Sequence, residues 1–361
     1  MKVLVLGGYG NFGKRIARLL TRDGVAVIVA GRDRSKAHSL VRTLPEGLAE
    51  AAVFDAYADL GRQLATLKAA VVINTCGPFQ TSDYGIARTC IDSGVHYIDL
   101  ADGRDFVIGI TRLQAEAAAR GVAVISGAST VPALTSAVIE SFRTQFSEIE
   151  ALTFGIAPGQ KAERGLATTQ AILSYVGKKL RPCAGAQLRY GWQDLYRQSY
   201  PEIGKRWMAN CDIPDLDLLP KKYGVARIRF SAGMENPLLH LSIWLVSWCV
   251  RLGAPIDLPK HASVLLRISN WFDFFGTADG GMHIILDGRD LNGSPVSKKW
   301  FIIARDGDGP YIPTVPAVVL AQKIIAGKLD MIGAMPCLGI VTLKEYLQEL
   351  QGLNISTYAF D

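Results

Sequence analysis

VLVLGGYGNFGK, residues 3–14, is an apolar run that breaks at glycines and then resumes with helical spacing. Val3–Leu6 places two β-branched valines in four apolar residues, the pattern of a strand buried on both faces of a parallel sheet. Gly8, Gly10 and Gly13 follow at GxGxxG spacing, and Ile16, Ala17, Leu19 and Leu20 recur at helical intervals behind them. In a strand, turn and helix of this kind each glycine has a mechanical reason. Gly8 is expected to allow the tight turn, Gly10 to let a pyrophosphate approach the backbone, and Gly13 to let the helix pack close to the strand. The corner Gly8 to Gly13, with Tyr9, Asn11 and Phe12 between the glycines, is therefore a candidate phosphate seat, with amides at a helix start and a dipole that favours negative charge. A turn that merely needs glycine is the competing explanation; the flanking strand and helix favour the phosphate.

The next strand, Val25–Ala30, runs into GRDRSK. An NAD-specific unit places an acidic side chain there to accept from the ribose 2′-hydroxyl; here Gly31 and Arg32 take the place, with Arg34 and Lys36 behind. Positive charge at that point suits a 2′-phosphate, so the expected cofactor is NADP(H), with Arg32 as the main contact. Asp33, turned inward to a ribose, is the alternative, and a solvated basic turn is a third. Further strands are expected at Ala51–Phe54, closed by Asp55 beside the adenine edge, and at Ala70–Asn74, opening into TCGPFQ. Backbone amides at Thr75, Cys76 and Gly77 would then lie at the carboxyl end of the sheet, where ligands of open α/β sheets bind. A helix over Gly85–Asp92, a strand at His96–Leu100, a helix over Phe106–Ala119 and a strand at Val122–Ser126 complete an alternation that predicts a doubly wound α/β domain.

At 361 residues, 49% hydrophobic and 20% charged, the chain has room for two domains with proper cores. A net charge of +6, scattered apart from pairs such as Lys178 and Lys179, gives nucleic-acid binding little support. The six cysteines show no CxxC, and the five histidines lie far apart, so no metal site is expected. The apolar start is four residues long and stops at glycine, which does not make a signal peptide; the expected compartment is the cytoplasm.

The runs GGYGNFG, AGRDR, NTCGPFQTSDYGIARTC, SGVHYIDLADGRDFV and SGASTVPALTSAV together resemble the saccharopine dehydrogenase-like oxidoreductases. The likeness continues in GTADGGMHIILDG, DGDGPYIPTVPAVVLAQKIIAGK and GAMPCLGIVTLKEYL. It implies an NADP-binding Rossmann domain and a mixed α/β second domain that often forms a dimer contact through its sheet. It implies the substrate poorly, since relatives include saccharopine-forming enzymes and enoyl reductases of lipid-like chains. Residues 180–259 do not resemble the saccharopine-binding part of the lysine enzymes. The expected division is residues 1–130 with a returning segment 312–361 as the Rossmann domain, and 131–311 as a mixed α+β domain for substrate and dimerisation.

Hydride transfer to a carbonyl or imine also calls for a proton donor. Asp99 and Asp102 in YIDLADGR lie at the end of a central strand. Asp99 is expected to fix the loop or the cofactor, Asp102 to act as acid and base if burial raises its pKa, and Arg104 to clamp a substrate carboxylate. Solvated loop charges are the competing reading. Ser126, Ser129 and Thr130 offer hydroxyls at the next strand exit, and Tyr84 is a further donor in the loop over the cofactor. Tyr175 and Lys179 form the YxxxK pair of short-chain dehydrogenases, but GGYGNFG and NTCGPF depart from the glycine turn and NNAG loop of those enzymes, and the pair is rejected.

Leu238–Leu252 is the most apolar stretch, too short for a bilayer span. A buried helix, a dimer face or the wall of an apolar substrate pocket is expected, with membrane-surface docking as the other reading. The function expected is an NADP(H)-dependent oxidoreductase acting on a small or lipid-like substrate in an interdomain cleft, as a homodimer. A cofactor-binding sensor or scaffold without turnover is the alternative.

Overall fold

The structure, a computed structural model, describes every residue except Gln187. It divides into two compact units, Met1–Ala137 with Pro310–Leu350, and Val138–Gly309 with Gln351–Asp361.

The first unit alternates strand and helix. Its elements are β1 (Lys2–Leu6), α1 (Asn11–Arg22), β2 (Ala26–Gly31), α2 (Arg34–Val41), β3 (Ala49–Val53), α3 (Ala56–Leu67), β4 (Ala69–Asn74), α4 (Gly85–Asp92) and β5 (His96–Asp99). Then come α5 (Arg104–Gly109), α6 (Gln114–Ala119), β6 (Ala123–Ser126) and α7 (Thr135–Phe142), within which the division between units falls. The single helix expected over Phe106–Ala119 is broken: a 3-10 turn at Ile110–Leu113 separates α5 from α6.

The seven parallel strands lie in the order β15-β6-β5-β4-β1-β2-β3, where β15 is Gly333–Pro336. The order turns round between β1 and β4, the switch point at which doubly wound sheets bind ligands. Val3, Leu4, Val5 and Leu6 are all buried, as a strand with helices on both faces requires. Register sets the site: Leu6 pairs with Ala30 on one side and Asn74 on the other, and Asn74 pairs with Asp99. Four strands thus end level and their loops leave the sheet side by side. The returning helix α12 (Val315–Ile325) buries Val315, Ala317, Val318, Leu320 and Ala321, and α13 (Leu343–Glu349) is opened by a capping box of Thr342 and Glu345.

The second unit holds β7 (Glu148–Ala157), α8 (Leu166–Leu173), two short strands β8 (Lys179–Leu180) and β9 (Arg189–Tyr190), β10 (Tyr196–Tyr200) and β11 (Gly204–Asn210). After these come α9 (Asp215–Tyr223), β12 (Arg227–Met234), α10 (Pro237–Arg251), α11 (Ala262–Trp271), β13 (Gly280–Arg289), β14 (Pro295–Ala304) and β16 (Ile355–Phe360). Its mixed sheet runs β10-β11-β12-β7-β13-β14-β16, parallel only between β12 and β7. Two expectations need correction. The last eleven residues do not stay with the Rossmann unit: Ile355–Phe360 pairs antiparallel to β14, from Ala304 to Lys299. And Leu238–Leu252 is not a buried helix, since α10 fully buries only His240 and Ser247.

Candidate functional site: a glycine corner and the carboxyl ends of the parallel strands

The glycine corner differs from expectation in which glycine makes the turn. Gly7, not Gly8, has the left-handed backbone, with φ +68°, and a Cβ there would lie 2.7 Å from Thr75 Oγ1. Gly8 is required by contact instead: its Cβ would sit 2.9 Å from Val5 O and 3.0 Å from a Val29 methyl on β2. Gly13 keeps its expected role, because a Cβ would stand 2.4 Å from Gly7 O and 2.7 Å from Gly8 Cα. Gly10 caps α1 with extended backbone and without any side-chain hydrogen bond, and α1 carries no acidic residue in its first turn. Asn11 and Phe12 form that turn, half-buried, and Arg15 reaches back to Asn11 O at 2.7 Å. The helix start therefore has no side-chain cap and is basic behind, which fits a cofactor pyrophosphate.

At the β2 exit Tyr9 lies against Gly31, where a Cβ would meet the tyrosine ring at 2.4 Å, and Tyr9 Oη accepts from Asp33 N at 2.9 Å. The Asp33 carboxylate caps α2, accepting from Lys36 N at 3.0 Å. Arg32 is exposed, and its charge reaches Cys76 at the end of β4, across the carboxyl edge of the sheet. A groove of about 390 Å³ beside Tyr9 is lined by Lys14, Arg18, Lys36, Ser35 and Ser39 from α1 and α2. Asp55 closes β3 but caps α3, accepting from Tyr57 N at 3.0 Å. Sequence reasoning missed Tyr57, whose exposed ring extends its hydroxyl to Cys76 O at 3.4 Å and flanks the β3 and β4 exits.

The amides expected to meet the ligand after β4 are already donating. Thr75 N gives to Leu6 O at 3.1 Å, Cys76 N to Asn74 Oδ1 at 2.9 Å, and Gly77 N to Thr75 O at 3.1 Å. Thr75 Oγ1 also donates to Leu6 O at 2.8 Å. The segment thus pins the glycine corner and offers a ligand its packed surface. Burial pushes the Cys76 thiol up to about 11, the state of a packing residue and not of a nucleophile.

The β5 and β6 exits sort the remaining candidates. Asp99 is fully buried; its Oδ1 accepts from Ser126 Oγ at 2.9 Å, Gly127 N at 2.9 Å and Ala101 N at 3.0 Å. It ties the two exits together, and Ser126 is consumed in doing so. Tyr84 is not available as a donor: its hydroxyl gives to Phe106 O at 2.8 Å and its ring packs on Phe106 with centroids 4.8 Å apart. Arg104 opens α5 and is only 5% exposed, so the reachable clamp that was expected is enclosed. Ser129 stays half-buried ahead of α7, whereas Thr130 is buried. Asp102 is half-buried; loss of solvent raises its carboxyl above the usual range, and Gln80 Nε2, unforeseen from sequence, donates to Oδ1 at 3.0 Å. Tyr175 of the rejected YxxxK pair belongs to the second unit and donates to Cys211 Sγ at 3.0 Å.

Sequence comparison places this geometry. The family model described as the saccharopine dehydrogenase NADP-binding domain matches residues 3–125. Residues 3–125 are similar to the NADP-binding domain of that family. The family expected from the motifs is thus the one found, and the phosphate corner, the β2 exit and the loops after β4 and β5 all lie inside the matched segment. No curated protein sequence matches the chain. Among solved structures, saccharopine dehydrogenase (L-Glu forming) from Saccharomyces cerevisiae aligns over 100% of both chains, with TM-score 0.68 and 12% identity. That likeness is one of fold, and it extends through the second unit. Amine dehydrogenase from Mycobacterium smegmatis aligns over 94% of this chain and 95% of its own, with TM-score 0.49 and 11% identity.

Proposed function

We propose that this protein is an NADP(H)-dependent oxidoreductase that exchanges hydride with a small or lipid-like organic substrate. The observation that carries the choice of cofactor is the β2 exit. Arg32 is exposed there, while the adjacent carboxylate, Asp33, is turned back to cap α2, and Asp55 at the β3 exit caps α3. A guanidinium matched to a phosphate contributes about 1.5–3 kcal/mol. Arg32→Ala is therefore expected to weaken NADPH binding by about tenfold to a hundredfold, with NADH binding nearly unchanged. Fluorescence titration of both nucleotides measures this; equal losses for the two would refute the assignment.

Bound NADP(H) supplies the hydride. Asp102 is the residue proposed to hold the proton. Burial favours its neutral form, and the Gln80 amide occupies Oδ1, which leaves the proton on Oδ2. Asp102→Asn should lower kcat about a hundredfold while leaving NADPH affinity intact, and should abolish the fall in rate as pH rises through the Asp102 pKa. NADPH oxidation with a panel of carbonyl and imine substrates is the assay. The second reading, a cofactor-binding sensor without turnover, draws on the engaged hydroxyls of Tyr84 and Ser126; steady turnover lost in Asp102→Asn removes it. The proposal includes a cytoplasmic homodimer, for which Ile285, Tyr358 and Phe360 on one face of the second sheet offer partly exposed apolar surface. Light scattering measures its mass.

A further inference from the structure

The helix α10 is turned inside out. Its sequence PLLHLSIWLVSWCVR is among the most apolar in the chain, yet the residues it fully buries are His240 and Ser247. Its seat on residues 190–193 is polar. Trp192 Nε1 donates to His240 O at 3.2 Å, Gln193 Nε2 to Ser247 Oγ at 3.4 Å, and Arg251 Nη1 to Gln193 Oε1 at 2.7 Å, with the guanidinium 4.0 Å from the Tyr190 ring centroid. These contacts fix the rotation of the helix. They turn Leu238, Ser242, Leu245, Cys249 and Leu252, one stripe at helical spacing, to the outside.

The next helix repeats the arrangement. Val264, Ile268, Trp271 and Phe275 form an exposed stripe on α11 and the 3-10 turn after it. Leu252, Phe274 and Phe275 are 83%, 85% and 76% exposed. Of the nineteen exposed large hydrophobic side chains among the described residues, ten lie between Leu238 and Phe275, so the exposure is concentrated in one stretch of the chain. The charge beside it is mainly basic. Within residues 238–275 Arg251, Lys260 and Arg267 are exposed against one exposed carboxylate, Asp257, which pairs with Lys260 at 2.9 Å; outside them Lys178 and Lys179 are exposed, as is Glu163, next to the Arg164 that bonds α11. Lys178 belongs to this surface: the neighbouring Gly177 packs on Ser247 and Val250 of α10, and the Lys178 charge acts on Asp257.

We propose that the outward stripes of α10 and α11 dock this protein on an anionic membrane surface. Apolar side chains with exposed tryptophan and phenylalanine enter the boundary between headgroups and acyl chains, and the lysines and Arg267 meet the anionic headgroups. The attachment is interfacial: α10 has fifteen residues, and no helix among the described residues is long and apolar enough to cross a membrane.

The test is co-sedimentation of the full chain with vesicles of phosphatidylcholine alone and with 30% phosphatidylglycerol, a composition on the order of that giving the surface potential of anionic leaflets. Wild-type protein should bind the anionic vesicles, with binding reduced by salt and by pure phosphatidylcholine. Phe274→Ser with Phe275→Ser, and separately Leu245→Ser with Leu252→Ser, should each weaken binding by about tenfold or more. Leu291→Ser, an equally exposed apolar site in the β13–β14 turn, should leave it unchanged. Absence of wild-type binding, indifference to the anionic lipid, or equal loss in Leu291→Ser overturns the proposal. So does a dimer in sedimentation velocity that the phenylalanine pair dissolves without any vesicle binding, since the stripes then cover a second copy. NADPH titration of the same variants should be unaltered, which keeps the result separate from the cofactor assignment.

Discussion

Gly13→Ala should abolish the phosphate seat, with NADPH binding weakened about a hundredfold, the equivalent of two amide-to-phosphate hydrogen bonds at about 1.5 kcal/mol each. The added Cβ would stand 2.4 Å from Gly7 O and 2.7 Å from Gly8 Cα, and both obstacles are backbone, so no rotamer change relieves them. Either α1 tilts away from β1 or the Gly7 turn opens. Both displace the amides of the first helical turn from the position to which register brings them, level with the exits of β2 and β4. Packing strain of this kind costs about 1–3 kcal/mol in stability. Gly61→Ala is the matched control. Gly61 lies within α3, where a Cβ meets only a Thr89 methyl at 3.5 Å, so alanine there should stabilise the protein by about 0.5–1 kcal/mol and leave NADPH binding alone. Thermal unfolding and NADPH titration on both variants check the pair; a Gly13→Ala protein that binds NADPH normally would contradict the close packing.

The sequence carries this corner because strand burial, glycine spacing and helical periodicity are local signals, read within the eighteen residues Val3 to Leu20. What it does not carry is which carbonyl each amide finds. Gly8 looks like the turn glycine by motif spacing, whereas the positive φ falls on Gly7 and Gly8 is excluded from carrying a side chain by Val29, a residue of another strand. The amides of Thr75 to Gly77 look available by their place at a strand exit, yet their acceptors are Leu6, Asn74 and Thr75. Tyr84 is consumed by a carbonyl twenty-two residues away. Asn74 and Thr75 are reached by local turns of the chain, but Leu6, Val29 and Phe106 are long-range contacts, which no local pattern encodes. The same reason hides the orientation of α10: periodicity shows apolar residues, and only the polar seat on Tyr190, Trp192 and Gln193 decides that they face outward. The edge strand at Ile355–Phe360 is likewise defined by its pairing with β14, since its own sequence continues a segment that follows the Rossmann unit.

Asp99 should impose a pH dependence on stability that Asp99→Asn removes. Its carboxyl is enclosed, and burial raises its pKa to about 6 despite three donors to Oδ1; Oδ2 has no hydrogen-bond partner among the described residues. The native state therefore binds this proton more tightly than the unfolded chain, where the group titrates near 3.8. The stabilisation by the bound proton is fully present below the unfolded value and is lost as pH rises through about 6. Over that window the group withdraws about 3 kcal/mol from stability. The wild-type curve alone does not isolate it, because His240 and His283, held neutral by burial with pKa values lowered to about 4 and about 3, lose stability as pH falls below 6.5. Subtracting the variant cancels those groups. It also cancels any fixed cost of placing an amide where Oδ2 lies. The stability of Asp99→Asn relative to wild type should rise by about 2 kcal/mol of that total between pH 4 and pH 7, the rest lying below pH 4, measured by urea unfolding at each pH. A difference that stays flat would mean that Asp99 ionises in the folded protein as it does in water, and that three donors suffice to offset the loss of solvent around a carboxylate buried between β5 and β6.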